Sequence, residues 1–365
     1  MTEILCIVGA RPNFMKIAPI MAAFANQGIR AKLVHTGQHY DQAMSDSFFE
    51  QLGIPRPDVN LEVGSASHAV QTAEIMRAFE PVLDLEKPKA VLVVGDVNST
   101  IACALVAAKK GVKVIHVEAG LRSYDRGMPE EINRVLTDQI SDLLFTTERE
   151  ALANLEKEGI AAERVHFVGN VMIDTLLGHL DRAVPADKTL GGKPARGYAA
   201  VTLHRPSNVD DPDTLRSLLQ TLGRVTEHLD VVFPIHPRTR ATAEKFGFSG
   251  LLERPGIRLL PPQGYLEMLG ITRDATVVIT DSGGLQEETT ALGVPCITVR
   301  ENTERPITLT EGTNTLTGPD PDKIWPVFQE VLSSGGKGGR IPEFWDGQAA
   351  VRIADFLRGW LDQLD

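Results

Sequence analysis

Cysteine is scarce. The 365 residues hold three, Cys6, Cys103 and Cys296, odd in number, far apart and set in apolar surroundings. That pattern offers neither a disulfide framework nor a zinc knuckle, and it predicts buried thiols in a reducing compartment. No apolar run approaches the ~18 residues that a membrane-spanning helix requires. The first residues, Thr2 and Glu3 ahead of a short apolar run that meets Arg11 and Pro12, do not read as a signal peptide, so a cytoplasmic location is expected. Basic runs are missing too: 37 Lys and Arg against 48 Asp and Glu leave a net charge of −11, which excludes non-specific nucleic-acid or anionic-membrane partners. There is no GxGxxG, which disfavours a dinucleotide cofactor. No metal site is expected: His35 and His39 have ligand spacing, but Gly37 lies between them where a strand passes into a loop.

What is present points to an α/β protein. Hydrophobic residues make up 42% and charged residues 23%, as in ordinary globular domains, and the length favours two domains. Short β-rich runs alternate with amphipathic stretches, the pattern of parallel βαβ units. Strands are expected at 4–9, 31–36, 90–96, 112–120 and 143–146, with helices at 13–27, 41–52, 99–110 and 130–142. Gly111 stops the third helix and Pro129 opens the fourth. The texture changes over 169–175, and a stretch rich in Pro, Gly and Ala follows at 184–197. The alternation then restarts, with strands at 199–203, 231–235, 257–260 and 276–280. A restart predicts two Rossmann-like domains facing across a cleft, 1–168 and 169–348, with a last helix near 349–365 returning to the first.

Ligands of open parallel sheets collect beyond the carboxyl ends of the strands. Those ends carry Gly9-Ala10-Arg11-Pro12 with Lys16 shortly after, Asp96, Glu118, His204-Arg205, His236 and Asp281-Ser282-Gly283-Gly284. The double glycine before a helix suits a phosphate or diphosphate, and equally a plain tight turn. Glu288, a turn further on, could accept ribose hydroxyls. Arg11 and Lys16 could take up charge on a departing phosphate. Asp96 and Glu118 end two strands of one βαβ unit, although Asp96 could instead cap the helix near Ser99. Glu130 and Glu131 fit a helix start on electrostatic grounds alone. His204 could donate to a phosphate or move a proton.

Taken in order, GARPNFMKIAP (9–19), TGQH (36–39), GDVNST (95–100), HVEAGLRS (116–123), PEEINR (129–134), TLHR (202–205), HPRT (236–239), TDSGGLQEE (280–288) and TERP (303–306) span nearly the whole chain. In these segments the sequence resembles the non-hydrolysing UDP-N-acetylglucosamine 2-epimerases. The resemblance implies a GT-B-like pair of domains, a homodimer, and no metal or nicotinamide. It implies that Arg11, Lys16, His204, Gln263, Ser282, Gly283, Gly284, Glu288 and Arg305 hold the UDP-sugar. Asp96, Glu118 and Glu130, with His204 beside the phosphates, are the implied catalytic groups. The implied reaction eliminates UDP across C1–C2 to 2-acetamidoglucal and then re-adds it. Gln38 and His236 match residues of an activating second UDP-GlcNAc site found in some bacterial members. The chain departs from that pattern at Asp41 and at Ser67-His68, and HRPSN (204–208) replaces a commoner HRREN-like run. A 2-epimerase of UDP-2,3-diacetamido-glucuronic acid is the nearest alternative. A GT-B glycosyltransferase and a hydrolysing 2-epimerase come after it.

Overall fold

Two sheets, every strand pair parallel, frame the molecule. The computed structural model describes residues 2–37, 52–54 and 56–364. The chain divides into two compact units, residues 1–178 with 343–365, and residues 179–342. This is the expected α/β class. The helix expected at 41–52 falls almost wholly outside the described residues, as do Gln38, His39 and Asp41.

In the first unit seven strands, β1 (Ile4–Val8), β2 (Ala31–His35), β3 (Val59–Asn60), β4 (Ala90–Val94), β5 (Lys113–Ala119), β6 (Leu143–Thr146) and β7 (Val165–Phe167), line up as β3-β2-β1-β4-β5-β6-β7. β1 and β4 are buried at all five positions. Continuous β-branched runs of this kind need apolar cover on both faces, which helical crossovers supply. The helix Arg11–Gln27 begins two residues before its expected start, because Pro12 sits in the first turn with φ already set for a helix. The helix Val171–His179 stays with this unit and buries Val171, Ile173 and Leu176.

In the second unit six strands, β8 (Tyr198–Thr202), β9 (Asp230–Pro234), β10 (Ile257–Leu260), β11 (Val277–Thr280), β12 (Cys296–Thr298) and β13 (Asn314–Leu316), are ordered β10-β9-β8-β11-β12-β13. After them the chain returns to the first unit. Trp345 is buried and donates its indole N–H to the Thr147 carbonyl (3.2 Å). The helix Ala349–Leu361 then packs on the helix Arg11–Gln27. Its first N–H groups, of Ala349 and Ala350, donate to the Asp174 carboxylate (3.1 and 2.7 Å), which caps it from another helix.

Each sheet reverses direction once, between β1 and β4 and between β8 and β11. Such reversals open a crevice beyond the strand ends, the usual ligand site of open α/β sheets. No helix among the described residues is long and apolar enough to cross a membrane.

Candidate functional site

The first unit concentrates its chemistry at the β1/β4 reversal. After β1, Asn13 accepts from the backbone N–H groups of Gly9 and Ala10 (3.3 and 3.0 Å) and donates to the Val94 carbonyl at the end of β4 (3.2 Å). One amide side chain thereby ties the two reversing strands together. Ser99 and Thr36 exchange a hydroxyl hydrogen bond (2.7 Å) over Gly9, where a Cβ would lie 2.1 Å from Ser99 Oγ. One turn into the helix, Lys16 is almost buried and pairs with Glu118.

Glu118 is held unusually. Its φ is +72°, a left-handed backbone on a residue with a side chain, and the β5–β6 register shifts between Val117 and Ala119. The bulge takes Glu118 out of the ladder and lets its carboxylate meet Lys16. Strain of this kind survives where the surroundings over-determine it, and functional sites are where it gathers.

Asp96 does not cap the following helix. The helix Asn98–Lys109 has Val97 as its N-cap with no side-chain cap, and the Asp96 carboxylate pairs with Arg134. Arg134 in turn donates to Glu131 through Nε (3.0 Å) and Nη2 (2.8 Å). Glu131 also accepts the backbone N–H groups of Ser123 and Tyr124 (3.0 and 2.8 Å). Burial would raise the Glu131 carboxyl, but those N–H groups and Arg134 outweigh it and hold it below the ordinary value. Glu131 therefore orients Arg134, and Arg134 orients Asp96. Asn133 adds a bond to the Asp96 carbonyl (2.9 Å). Glu130, half-buried at the start of the same helix, has no hydrogen bond or ion pair among the described residues.

The second unit gathers its groups at the β8/β11 reversal. Asp281, fully buried at the end of β11, accepts from the backbone N–H groups of His204 (2.9 Å) and Arg205 (2.9 Å) and from Asn208 (3.2 Å). It also pairs with His204 Nδ1 at 2.8 Å. Burial pushes its carboxyl up, but His204 and these N–H groups more than offset that and hold it low. An ionised Asp281 fixes the proton on His204 Nδ1. His236 lies 5.9 Å from His204, ring to ring, and caps the helix Pro237–Lys245 by accepting the Arg238 N–H (3.2 Å). Burial, followed by the charges of His204 and Arg238, lowers its pKa, which suits a neutral ring accepting at Nδ1.

Ser282 forms the N-cap of the helix Gly283–Leu292, so the amides of the double glycine stand at a helix N-terminus. Gly283 permits no side chain: a Cβ would lie 2.7 Å from Arg305 Nη1 and 2.9 Å from Glu304 Oε1. Arg305 is nearly buried and pairs with Glu304 and, through Nε at 3.0 Å, with Glu287. Glu304 also holds Arg300 at 2.7 Å, and Arg300 and Arg305 keep its carboxyl far below the ordinary range against the opposing effect of burial. Glu288 is nearly buried on the same helix, and burial together with its charge raises the Tyr265 hydroxyl. Gln263 donates to the Pro261 carbonyl (2.7 Å).

Within the first unit, Lys16, Asp96 and Glu118 come to one strand reversal. Within the second, His204, His236, Ser282, Gly283, Gly284, Glu288 and Arg305 gather about the other. Of the residues that position them, Asn13, Arg134, Asn208 and Glu304 were given no role by the sequence, and Glu131 was read only as suiting a helix start. Arg134 had a signal, since it lies one helical turn after Glu131 on the helix that Pro129 opens.

The chain is similar to known proteins over nearly its whole length. A family model described as UDP-N-acetylglucosamine 2-epimerase matches residues 22–358. A UDP-N-acetylglucosamine 2-epimerase of Methanococcus maripaludis is 42% identical, covering 98% of this chain and 99% of its own. A UDP-2,3-diacetamido-2,3-dideoxy-D-glucuronate 2-epimerase of Pseudomonas aeruginosa is also 42% identical, covering 97% of this chain and 99% of its own. Among solved structures, a Methanocaldococcus jannaschii UDP-GlcNAc 2-epimerase in complex with UDP-GlcNAc and UDP superposes with a TM-score of 0.90 at 39% identity, covering 98% of this chain and 99% of that one.

Proposed function

The chain belongs to the UDP-N-acetylglucosamine 2-epimerase family of isomerases, and from that premise we propose that it interconverts UDP-GlcNAc and UDP-ManNAc by eliminating and re-adding UDP. The C2 hydrogen of the sugar is not acidic, so inversion needs a path around a bare carbanion. Loss of UDP from C1 while a carboxylate removes the C2 proton gives 2-acetamidoglucal. Re-addition of UDP at C1, with a proton delivered to the other face of C2, gives the epimer. The path needs carboxylates about the ring and positive charge at the departing diphosphate.

Asp96, Glu118 and Glu130 are the acids and bases in this reading, with Lys16 and Arg11 taking up the developing phosphate charge. Ser282, Gly283, Gly284, His204 and Arg305 hold the diphosphate, Glu288 the ribose and Gln263 the uracil. The observation that carries the reading is Glu118, kept in a left-handed backbone against buried Lys16. Folding stability alone gives no reason to hold a strained carboxylate there. The UDP-sugar is the proposed substrate, and a cytoplasmic homodimer completes the reading.

An NMR time course with UDP-GlcNAc in deuterated water tests it. Deuterium should enter at C2 as UDP-ManNAc appears. Unlabelled C2, or free sugar and UDP released at the rate of turnover, would refute reversible elimination. A second reading, epimerisation of UDP-2,3-diacetamido-glucuronic acid, is favoured by the Pseudomonas relative, as similar as the Methanococcus one. Gln286-Glu287-Glu288 and Glu304-Arg305-Pro306 lie in segments that resemble the UDP-GlcNAc enzymes, which puts that substrate first in this reading. Incubation with each nucleotide sugar decides between them.

A further inference from the structure

A buried polar cluster stands behind the ends of β4 and β5, and the chemistry above makes no use of it. His116, fully buried on β5, meets an acceptor with each ring nitrogen: Nδ1 lies 2.6 Å from Asp138 Oδ1 and Nε2 lies 2.8 Å from the Gly95 carbonyl. A carbonyl only accepts, so Nε2 carries hydrogen. Asp138 is fully buried as well, and its other oxygen accepts from the Gly120 N–H (3.0 Å) and from Arg122 Nη2 (2.7 Å). With two donors aimed at it, Oδ2 has no room for a proton. Burial pushes the Asp138 carboxyl up, but His116 and then Arg122 outweigh this and keep it low.

The two ends of this cluster bracket the candidate carboxylates. Gly95 directly precedes Asp96, in a left-handed backbone (φ +66°) where a Cβ would strike Lys16 Nζ at 2.8 Å. Gly120 lies two residues beyond Glu118, on the other side of the bulge. We propose that His116, locked between the Asp138 carboxylate and the Gly95 carbonyl, is a positioning residue that sets the Asp96 turn through the Gly95 carbonyl and the Glu118 bulge through Asp138. The buried ring ties both turns to one rigid group, as a two-carboxylate reaction on one ring carbon requires. This inference rests on the reading that Asp96 and Glu118 act on the sugar.

Two measurements on the full chain test it. The first is the side-chain N–H spectrum of the histidines in the wild type. The His116 Nε2–H signal, identified by its loss in His116→Gln, should exchange slowly with water, as a buried N–H bonded to the Gly95 carbonyl does. A fast-exchanging or missing Nε2–H overturns the proposal, whether or not the variant folds well enough to be assayed. The second is turnover of His116→Gln and Asp138→Asn beside the wild type. Misplacing both carboxylates should lower kcat by about 100-fold with little change in KM or UDP affinity. Wild-type kcat in a folded His116→Gln overturns the proposal. Absence of C2 exchange in the wild type would instead sink the epimerase reading and leave the N–H exchange to decide whether His116 is locked on the Gly95 carbonyl.

Discussion

Two carboxylates of the first unit differ in burial and in the work they do, and substitution separates them. Asp96 is held from behind by Arg134 and keeps part of its carboxylate accessible, with a quarter of the side chain exposed. Asp96→Asn keeps the shape and removes the base, so C2 exchange should vanish while UDP binding, measured by calorimetry, persists. Retained exchange removes Asp96 from the chemistry. Lys16 and Glu118 are each nearly buried and pair with each other, so removing the lysine takes a positive charge away from a buried carboxylate. Lys16→Met should cost about 3 kcal/mol in chemical denaturation. Adding Glu118→Gln should recover much of that stability but no activity. Recovery of activity in the double variant would show that the pair is structural. In the second unit the lowered Asp281 carboxyl gives a signed pH effect. Its stabilising contribution is present above the ordinary Asp value of 3.8 and is lost as pH falls through its lower folded value. Acid melting curves of Asp281→Asn should therefore start lower and fall less steeply below about pH 4 than those of the wild type. Parallel curves would contradict an ionised Asp281.

At the scale of elements, the decisive pieces are turns between a buried strand and a helix. The Ser282-Gly283-Gly284 turn is the sharpest case, because Arg305 and Glu304 occupy the space that a side chain at Gly283 would need. Those two are fixed in a buried ion-pair network and cannot swing aside cheaply. Gly283→Ala should weaken UDP binding at least tenfold, about 1.4 kcal/mol, as read by titration calorimetry. Unchanged affinity would place the diphosphate elsewhere. Elements and turns differ in how much of them the sequence displays. β1, β4 and β11 were legible because an unbroken buried apolar run rich in β-branched residues has only one comfortable home, inside a parallel sheet. β12 and β13 were not, since three-residue strands such as CIT and NTL have no period to read. The strand-end rule alone brings out Asp96, Glu118 and Asp281. The bulge at Glu118, and the Glu131–Arg134 chain behind Asp96, arise from long-range packing and hydrogen bonding that no local pattern encodes. The cap read for Asp96 failed for the same reason: a guanidinium 38 positions away in sequence competed for its carboxylate.

At the scale of the whole chain, the last 23 residues belong to the first unit although the second unit's residues separate them from it. Ala350, Ile353, Ala354, Leu357 and Leu361 are buried along one face of the helix Ala349–Leu361, and Trp345 is buried just before it. Each large apolar side chain so covered contributes about 1.5–3 kcal/mol. The return is also fixed by polar contacts: Asp174 capping the helix, and Arg358 donating to the Gln27 carbonyl (2.6 Å). Removing residues 343–365 therefore strips apolar cover from the helix Arg11–Gln27 while leaving residues 179–342 intact. Scanning calorimetry of the shortened chain should resolve two transitions. The one for the first unit should fall by at least about 10 °C, and the one for the second should keep its temperature and its rise on adding UDP. If both transitions shift together, or if UDP no longer raises the second, then the nucleotide is not held by residues 179–342 alone, and the division of labour proposed for the two units is wrong.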